Sequence, residues 1–192
     1  MEAHPSLIKL FKNQKAWEAW LKKNESASSG IWLRLGKKSA SLKTVTYQEA
    51  VEVALCYGWI DGQSKGFDDE SWLQRFSPRG PKSIWSKINR SKALVLIKSG
   101  RMRPGGLAAI ETAKKNGRWK GAYDSHRTAT PPADLQKALN KNPGAKSFFA
   151  SLDSQNRYAV LFRIQTAKKA DTRKKKIEKL VEMLAKHEKL HP

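Results

Sequence analysis

Five cations, Arg75, Arg79, Lys82, Lys87 and Arg90, fall in one short stretch, with Trp72 and Trp85 close by. A guanidinium fork holds a phosphate through two parallel bonds, and an exposed aromatic ring can stack on a base. The turn Pro78-Arg-Gly-Pro81 delivers Arg79, Lys82 and Ser83 just ahead of a helix expected to start near Trp85. Free backbone N–H groups at such a start attract anions. The pattern predicts an anion cradle, with Ser83 and Ser86 able both to cap the helix and to touch the ligand. The competing reading is a structural turn with core tryptophans and solvated cations.

A second constellation is Cys56-Tyr-Gly-Trp-Ile-Asp-Gly62. Asp61 reads as a carboxylate able to pair with Arg75 or Arg79, and with Trp59 it could line a small-molecule pocket between a sheet and the Ser86 helix. As chemistry this would be general acid or base work; the plainer reading is a turn or ion-pair residue. Cys56 sits on an apolar helical face and reads as a buried structural thiol. His4, His126, His187 and His191 have no metal-ligand spacing with one another or with Cys56, so no metal is expected. No phosphate-binding glycine loop and no nucleophile elbow occurs. The expectation is a non-enzymatic protein without a cofactor.

Charge supports a binding role. The 192 residues carry 38 Lys and Arg against 17 Asp and Glu, a formal net charge of +21. Such an excess repels itself and usually meets a polyanion, nucleic acid first among them. The stretch Trp72 to Trp119 alone holds twelve cations and one acid, Glu111. The lysines of the last helix read as its wet face, with an auxiliary phosphate-contacting surface as the sharper alternative. One cysteine, no signal-peptide pattern and no apolar run long enough to cross a bilayer point to the cytoplasm.

The elements that must position these residues are α+β: a small antiparallel sheet packed by helices, then a C-terminal helical region. Residues 1–123 are expected to form the core domain, 124–132 a Pro-Pro linker, and 133–192 a helical hairpin region that could dock a protein partner. A helix is expected around Phe11 to Lys23. Gly30 to Leu35 alternates as a strand. Thr46-Tyr-Gln-Glu49 is a capping box opening a helix. Trp59 to Phe67 and Ser71 to Phe76 read as paired strands joined by Asp68-Asp-Glu70. Helices follow from Ser86 to Ser99, from Pro104 to near Gly117, and near Ala133 to Asn140, Pro143 to Leu152, Ser154 to Thr166 and Asp171 to His187. In the last, Ile177, Leu180, Val181 and Leu184 form an apolar stripe.

Ala54-Leu-Cys-Tyr-Gly-Trp-Ile-Asp-Gly62, Gln74-Arg-Phe-Ser-Pro-Arg79, Pro81-Lys-Ser-Ile-Trp-Ser-Lys87, Gly105-Gly-Leu-Ala-Ala-Ile-Glu111 and the end Lys174-Lys-Lys-Ile-Glu-Lys-Leu-Val-Glu-Met-Leu184 resemble the YdeI/OmpD-associated family. Its members carry the label "bacteriocin-protection". The resemblance runs over nearly the whole chain. It implies a frataxin-like α/β fold of the YjbR group and a role in stress or cationic-peptide tolerance. It supplies no catalytic residues.

Overall fold

The structure, a computed structural model, describes residues 7–192. His4 therefore lies outside the described residues. The chain divides into two compact units. The first runs up to Ser83 and resumes over Asn89–Trp119; the second takes Ile84–Ile88 and Lys120–Pro192.

The first unit is built on a four-stranded sheet in the order β1-β2-β4-β3. Strand β1 is Ile8–Leu10, β2 is Ile31–Gly36, β3 is Trp59–Gly66 and β4 is Ser71–Pro78. The β2–β4 and β3–β4 pairs are antiparallel, as the alternation and the acidic turn predicted. Strand β1 is an addition: three residues pair parallel to β2, making the sheet mixed. So short a segment has no period to detect.

Register assigns each side chain to a face. Ile31 opposite Phe76, Leu33 opposite Gln74 and Leu35 opposite Trp72 share one face. Helices α1 (Gln14–Asn24) and α2 (Tyr47–Cys56) belong to that side. The Trp17 ring of α1 lies 5.7 Å from Phe76 and 6.4 Å from Trp59, and its indole N–H donates to the Ala50 carbonyl of α2 at 3.1 Å. Thr46 caps α2: its hydroxyl accepts the Glu49 N–H, and the Glu49 carboxylate accepts the Thr46 N–H.

One buried polar side chain belongs to this core. The bulge between Asp61 and Ser64 leaves carbonyls out of the ladder, and Gln74, only 4% exposed, donates its amide to the Gly62 and Gln63 carbonyls at 2.9 and 3.2 Å. Gln74→Leu should lower stability by only about 1 kcal/mol, because those carbonyls lie in an exposed part of β3 where water can replace the amide. Urea denaturation checks this.

Helices α3 (Lys87–Lys98) and α4 (Pro104–Lys115) complete the first unit, although α3 begins in the segment that belongs to the second. The first turn of α4 abuts the end of α2. A Cβ on Gly106 would stand 2.8 Å from the Leu55 carbonyl oxygen and closer still to that of Cys56, so the helices meet only because glycine is there. The paired glycines are thus a packing device as well as a helix start.

The second unit contains four helices: α5 (Ala133–Asn140), α6 (Pro143–Ser151), α7 (Ser154–Gln165) and α8 (Ala170–Ala185). These are the four helices expected there, and two internal caps restart the chain between them. Asn142 accepts the Ala145 N–H and Asp153 accepts the Asn156 N–H. Leu135, Phe149, Val160, Ile164, Ile177, Leu180 and Leu184 form the core, which confirms the stripe read in the last helix. The stretch 124–132 lies within this unit, where the Asp124 N–H donates to Gln165 and its carbonyl accepts from the Tyr158 hydroxyl.

Arg173 of α8 grips Asp134 of α5 with two bonds of 2.6 and 2.9 Å, holding that carboxyl below its ordinary range. The Asp153 carboxyl is lowered too, chiefly by the Asn156 N–H it caps. Carboxyls with a depressed folded-state value stabilise above the unfolded value, near 4, and lose that contribution as pH falls through the folded value. The second unit should therefore weaken on acidification below about pH 4. Arg173→Ala should flatten that acid limb, as circular dichroism melts across pH would record.

Candidate anion-binding face

Several cations between Trp72 and Trp119 are taken up by different acids. Lys92 and Arg101 both pair with Glu52 at 3.4 Å, Arg103 pairs with Glu18 at 3.1 Å, and Lys114 pairs with Glu111 at 2.7 Å. These acids lie far off in sequence except Glu111, so local charge counting could not anticipate that they draw the cations to different sites.

The expected cradle is likewise divided. Lys87 belongs to the second unit, where it pairs with Asp124 at 2.7 Å, and its backbone N–H donates to the Tyr123 carbonyl at 2.8 Å. A donor at the start of α3 is thus already engaged by the chain itself. Trp85 is 2% exposed and presents no ring to a ligand. In the first unit, Ser83 closes the turn by accepting the Gly80 N–H, and Asn116 fastens the same turn through the Pro81 carbonyl. Lys82 is exposed there. Arg79 is half-buried and its backbone N–H donates to Gly58. Arg90 donates to the Trp119 carbonyl at 3.2 Å.

The pocket expected from Asp61 and Arg75 does not form either, for a topological reason. Asp61 pairs with Phe76 in the ladder and so shares its face, with Trp59 two residues before it; Arg75 pairs with Trp32 on the other face. Asp61 accepts the Tyr47 hydroxyl at 2.7 Å, and Trp72 packs against the Tyr47 ring at 5.7 Å. Among the described residues no ion pair joins Asp61 to either arginine. Cys56 is buried, and that burial raises its thiol above the ordinary range, as suits a structural residue.

Arg75 marks a different site: the sheet face away from α1 and α2. Trp32, Arg34, Lys65 and Arg75 project there, half-buried or exposed, with Ile8 and Leu10 of β1 beside them at 45% and 36% exposure. The Lys65 ammonium stands 4.8 Å over the Trp32 ring, and the Arg34 guanidinium 4.9 Å over Phe67. Arg34 is already neutralised, since it binds Asp68 at 2.6 Å and the Ser71 hydroxyl at 2.8 Å. The Ser71 hydroxyl, then a backbone N–H and Arg34, hold the Asp68 carboxyl below its usual range.

Among the described residues Arg75 has no such acid: its Nη2 reaches the Ser29 carbonyl only at 3.5 Å, and its buried Nη1 has no partner there. The guanidinium lies flat against Gly30, whose φ of 132° and missing Cβ make the room; an added Cβ would sit 2.8 Å from Cζ. Buried donors without acceptors are few in folded proteins, and each calls for an explanation. Sequence reading found Arg75 but missed Trp32, Arg34, Lys65 and Phe67. For Trp32 and Arg34 the signal was the outward half of the β2 alternation, which is legible once the opposite face is known to be core.

Other concavities have different chemistry. A cavity of about 500 Å³ beside the start of α4 contains Glu18, Glu25, Tyr57 and Arg103. Burial pushes the Tyr57 phenol up, and the Glu18 bond raises the Arg103 guanidinium. Arg103 pairs with Glu18 there, and Lys15 and Lys22 also line the cavity beside Glu25. In the second unit a groove of about 570 Å³ runs between α5 and α8. Among the described residues no three His, Cys, Asp or Glu side chains converge as metal ligands, and no helix is long and apolar enough to cross a membrane.

Residues 9–109 match the family model "Domain of unknown function (DUF8412)", which spans β1 to the middle of α4. Residues 128–187 match "Bacteriocin-protection, YdeI or OmpD-Associated", which spans α5 to α8. No curated protein and no solved structure matches the chain. Several of the motifs that resembled the YdeI/OmpD-associated family, including Ala54 to Gly62 and Gln74 to Arg79, lie in the region matched by the first of these models. The chain belongs to the DUF8412 family, and the match over its helical second unit supports its kinship with the bacteriocin-protection, YdeI or OmpD-associated family.

Proposed function

We propose that this protein is a non-enzymatic binding protein whose first unit takes a polyanion, nucleic acid by preference, on the sheet face away from α1 and α2. The observation that carries the reading is the Arg75 guanidinium, half-buried and with no acid to pair with among the described residues, and Lys65 near on the same face. A phosphate oxygen is an acceptor that such a guanidinium lacks, and a charge-assisted bond to it is among the stronger polar contacts. Contacts of this kind go to the backbone and carry no sequence information. The net charge of +21 brings such a ligand in from a distance and opposes direct capture of a cationic peptide.

Binding should be steeply salt-dependent. With two free cations, Lys65 and Arg75, a duplex should give a slope of log K against log salt near −2 from this face, with any excess coming from cations elsewhere. Fluorescence titration of a duplex oligonucleotide across salt concentrations measures it, and no binding of either duplex or single strand at low salt refutes the reading. Lys82→Glu is the companion experiment. It alters the turn rather than the sheet, and a greater loss from it than from Arg75→Ala would move the site back to the turn.

A further inference from the structure

We infer that the polyanion suited to this face is a single-stranded polynucleotide rather than a duplex, with bases on Trp32 and Phe67 and phosphates on Lys65 and Arg75. The inference rests on the reading above and adds the class of ligand.

A face built only for phosphates needs cations and polar groups. This one is also apolar and aromatic. Phe67 is 48% exposed, Ile8 45% and Leu10 36%. A duplex presents its sugar-phosphate backbone and groove edges, which would leave those groups in water. A single strand presents base faces, every one of which can stack on a ring whatever its identity.

The cations are placed for the exchange. Lys65 lies over the Trp32 ring on a flexible four-carbon stem. A phosphate arriving beside it draws the ammonium away and frees the ring face for a base. Arg34 behaves differently, because Asp68 and Ser71 anchor it, so it steadies Phe67 from one side and leaves the outer side of that exposed ring available. Arg75, opposite Trp32 in the ladder, packs against Gly30 and has no acid among the described residues, so its guanidinium is the second cation for a phosphate.

A second copy of the chain is a poorer occupant, since two molecules of charge +21 repel, whereas a strand lowers that charge as it binds. An acidic polypeptide would match the charge but offers few flat rings to stack.

The test compares a labelled oligothymidylate with a duplex carrying the same number of phosphates, by anisotropy at one low salt concentration on the full chain. The strand should bind about tenfold tighter, the scale expected for one stacked base. Trp32→Ala and, at an exposed position less able to disturb folding, Phe67→Ala should each remove most of that preference and leave duplex affinity within about twofold. Equal affinity for strand and duplex, or polyglutamate binding as tightly as the strand, overturns the inference. If the duplex still binds with its salt slope and loses affinity in Arg75→Ala, the broader reading survives that result. If no polyanion binds, both fall.

Discussion

Arg75→Ala is expected to lower nucleic-acid affinity about tenfold at low salt and leave the unfolding midpoint unchanged or slightly higher. The two halves of that result have separate causes. In the free protein the guanidinium contributes little: one long bond to Ser29, a buried Nη1 with nothing to bind, and a stem against Gly62. An unanswered buried donor costs about 1–3 kcal/mol, which offsets the packing lost when the stem is removed. In the complex the same group answers a phosphate. The salt slope should also fall by about 0.9 for a duplex or 0.7 for a single strand, one contact's worth. Anisotropy and thermal melts on the same preparation decide it. A variant that lost stability in proportion to affinity would make Arg75 a structural residue and remove the basis for the proposed site.

Gly58→Ala should lower the stability of the first unit by about 2–4 kcal/mol. Gly58 ends the passage from α2 to β3 with φ near 74°, in the left-handed region where a side chain costs about 1–2 kcal/mol. A Cβ there would also drive into the Gly105 carbonyl group and lie 3.4 Å from the Ala109 Cβ, an overpacking of backbone on backbone with no flexible end to yield. Gly66→Ala is the control, because a Cβ there meets nothing within 4 Å. Denaturation followed by tryptophan fluorescence reports mainly the first unit, where Trp17 and Trp59 are fully buried. Equal midpoints for the two variants would show that α4 can back away from α2, and that the close approach is not required for stability.

The elements were largely legible in the sequence where a local rule governs them. Thr46 and Glu49 announce the start of α2 because a capping box is satisfied within four residues. The β2 alternation and the acidic turn at Asp68 announce their strands because the pattern period is itself the geometry. The stripe on α8 is legible for the same reason. The site was read less well. Trp85 looked like a stacking ring and is core, since composition does not distinguish a buried tryptophan from an exposed one. Lys87 and Arg90 looked like ligand contacts and instead bind Asp124 and the Trp119 carbonyl, partners tens of residues away.

From its sequence alone this protein was determined to be α+β, strongly basic and without the spacing of a metal or phosphate-loop site. Those properties depend on residue type and short-range period. Tertiary structure alone decided which cations are left over. It paired Lys87, Lys92, Arg101 and Arg103 with distant acids and Arg90 with a distant carbonyl, set Asp61 and Arg75 on opposite faces of one sheet, and put Arg75 opposite Trp32 on the face that Lys65 shares. The reason is that pairing and register join residues far apart in the chain, and a shift of a single position in β4 would have reversed every face.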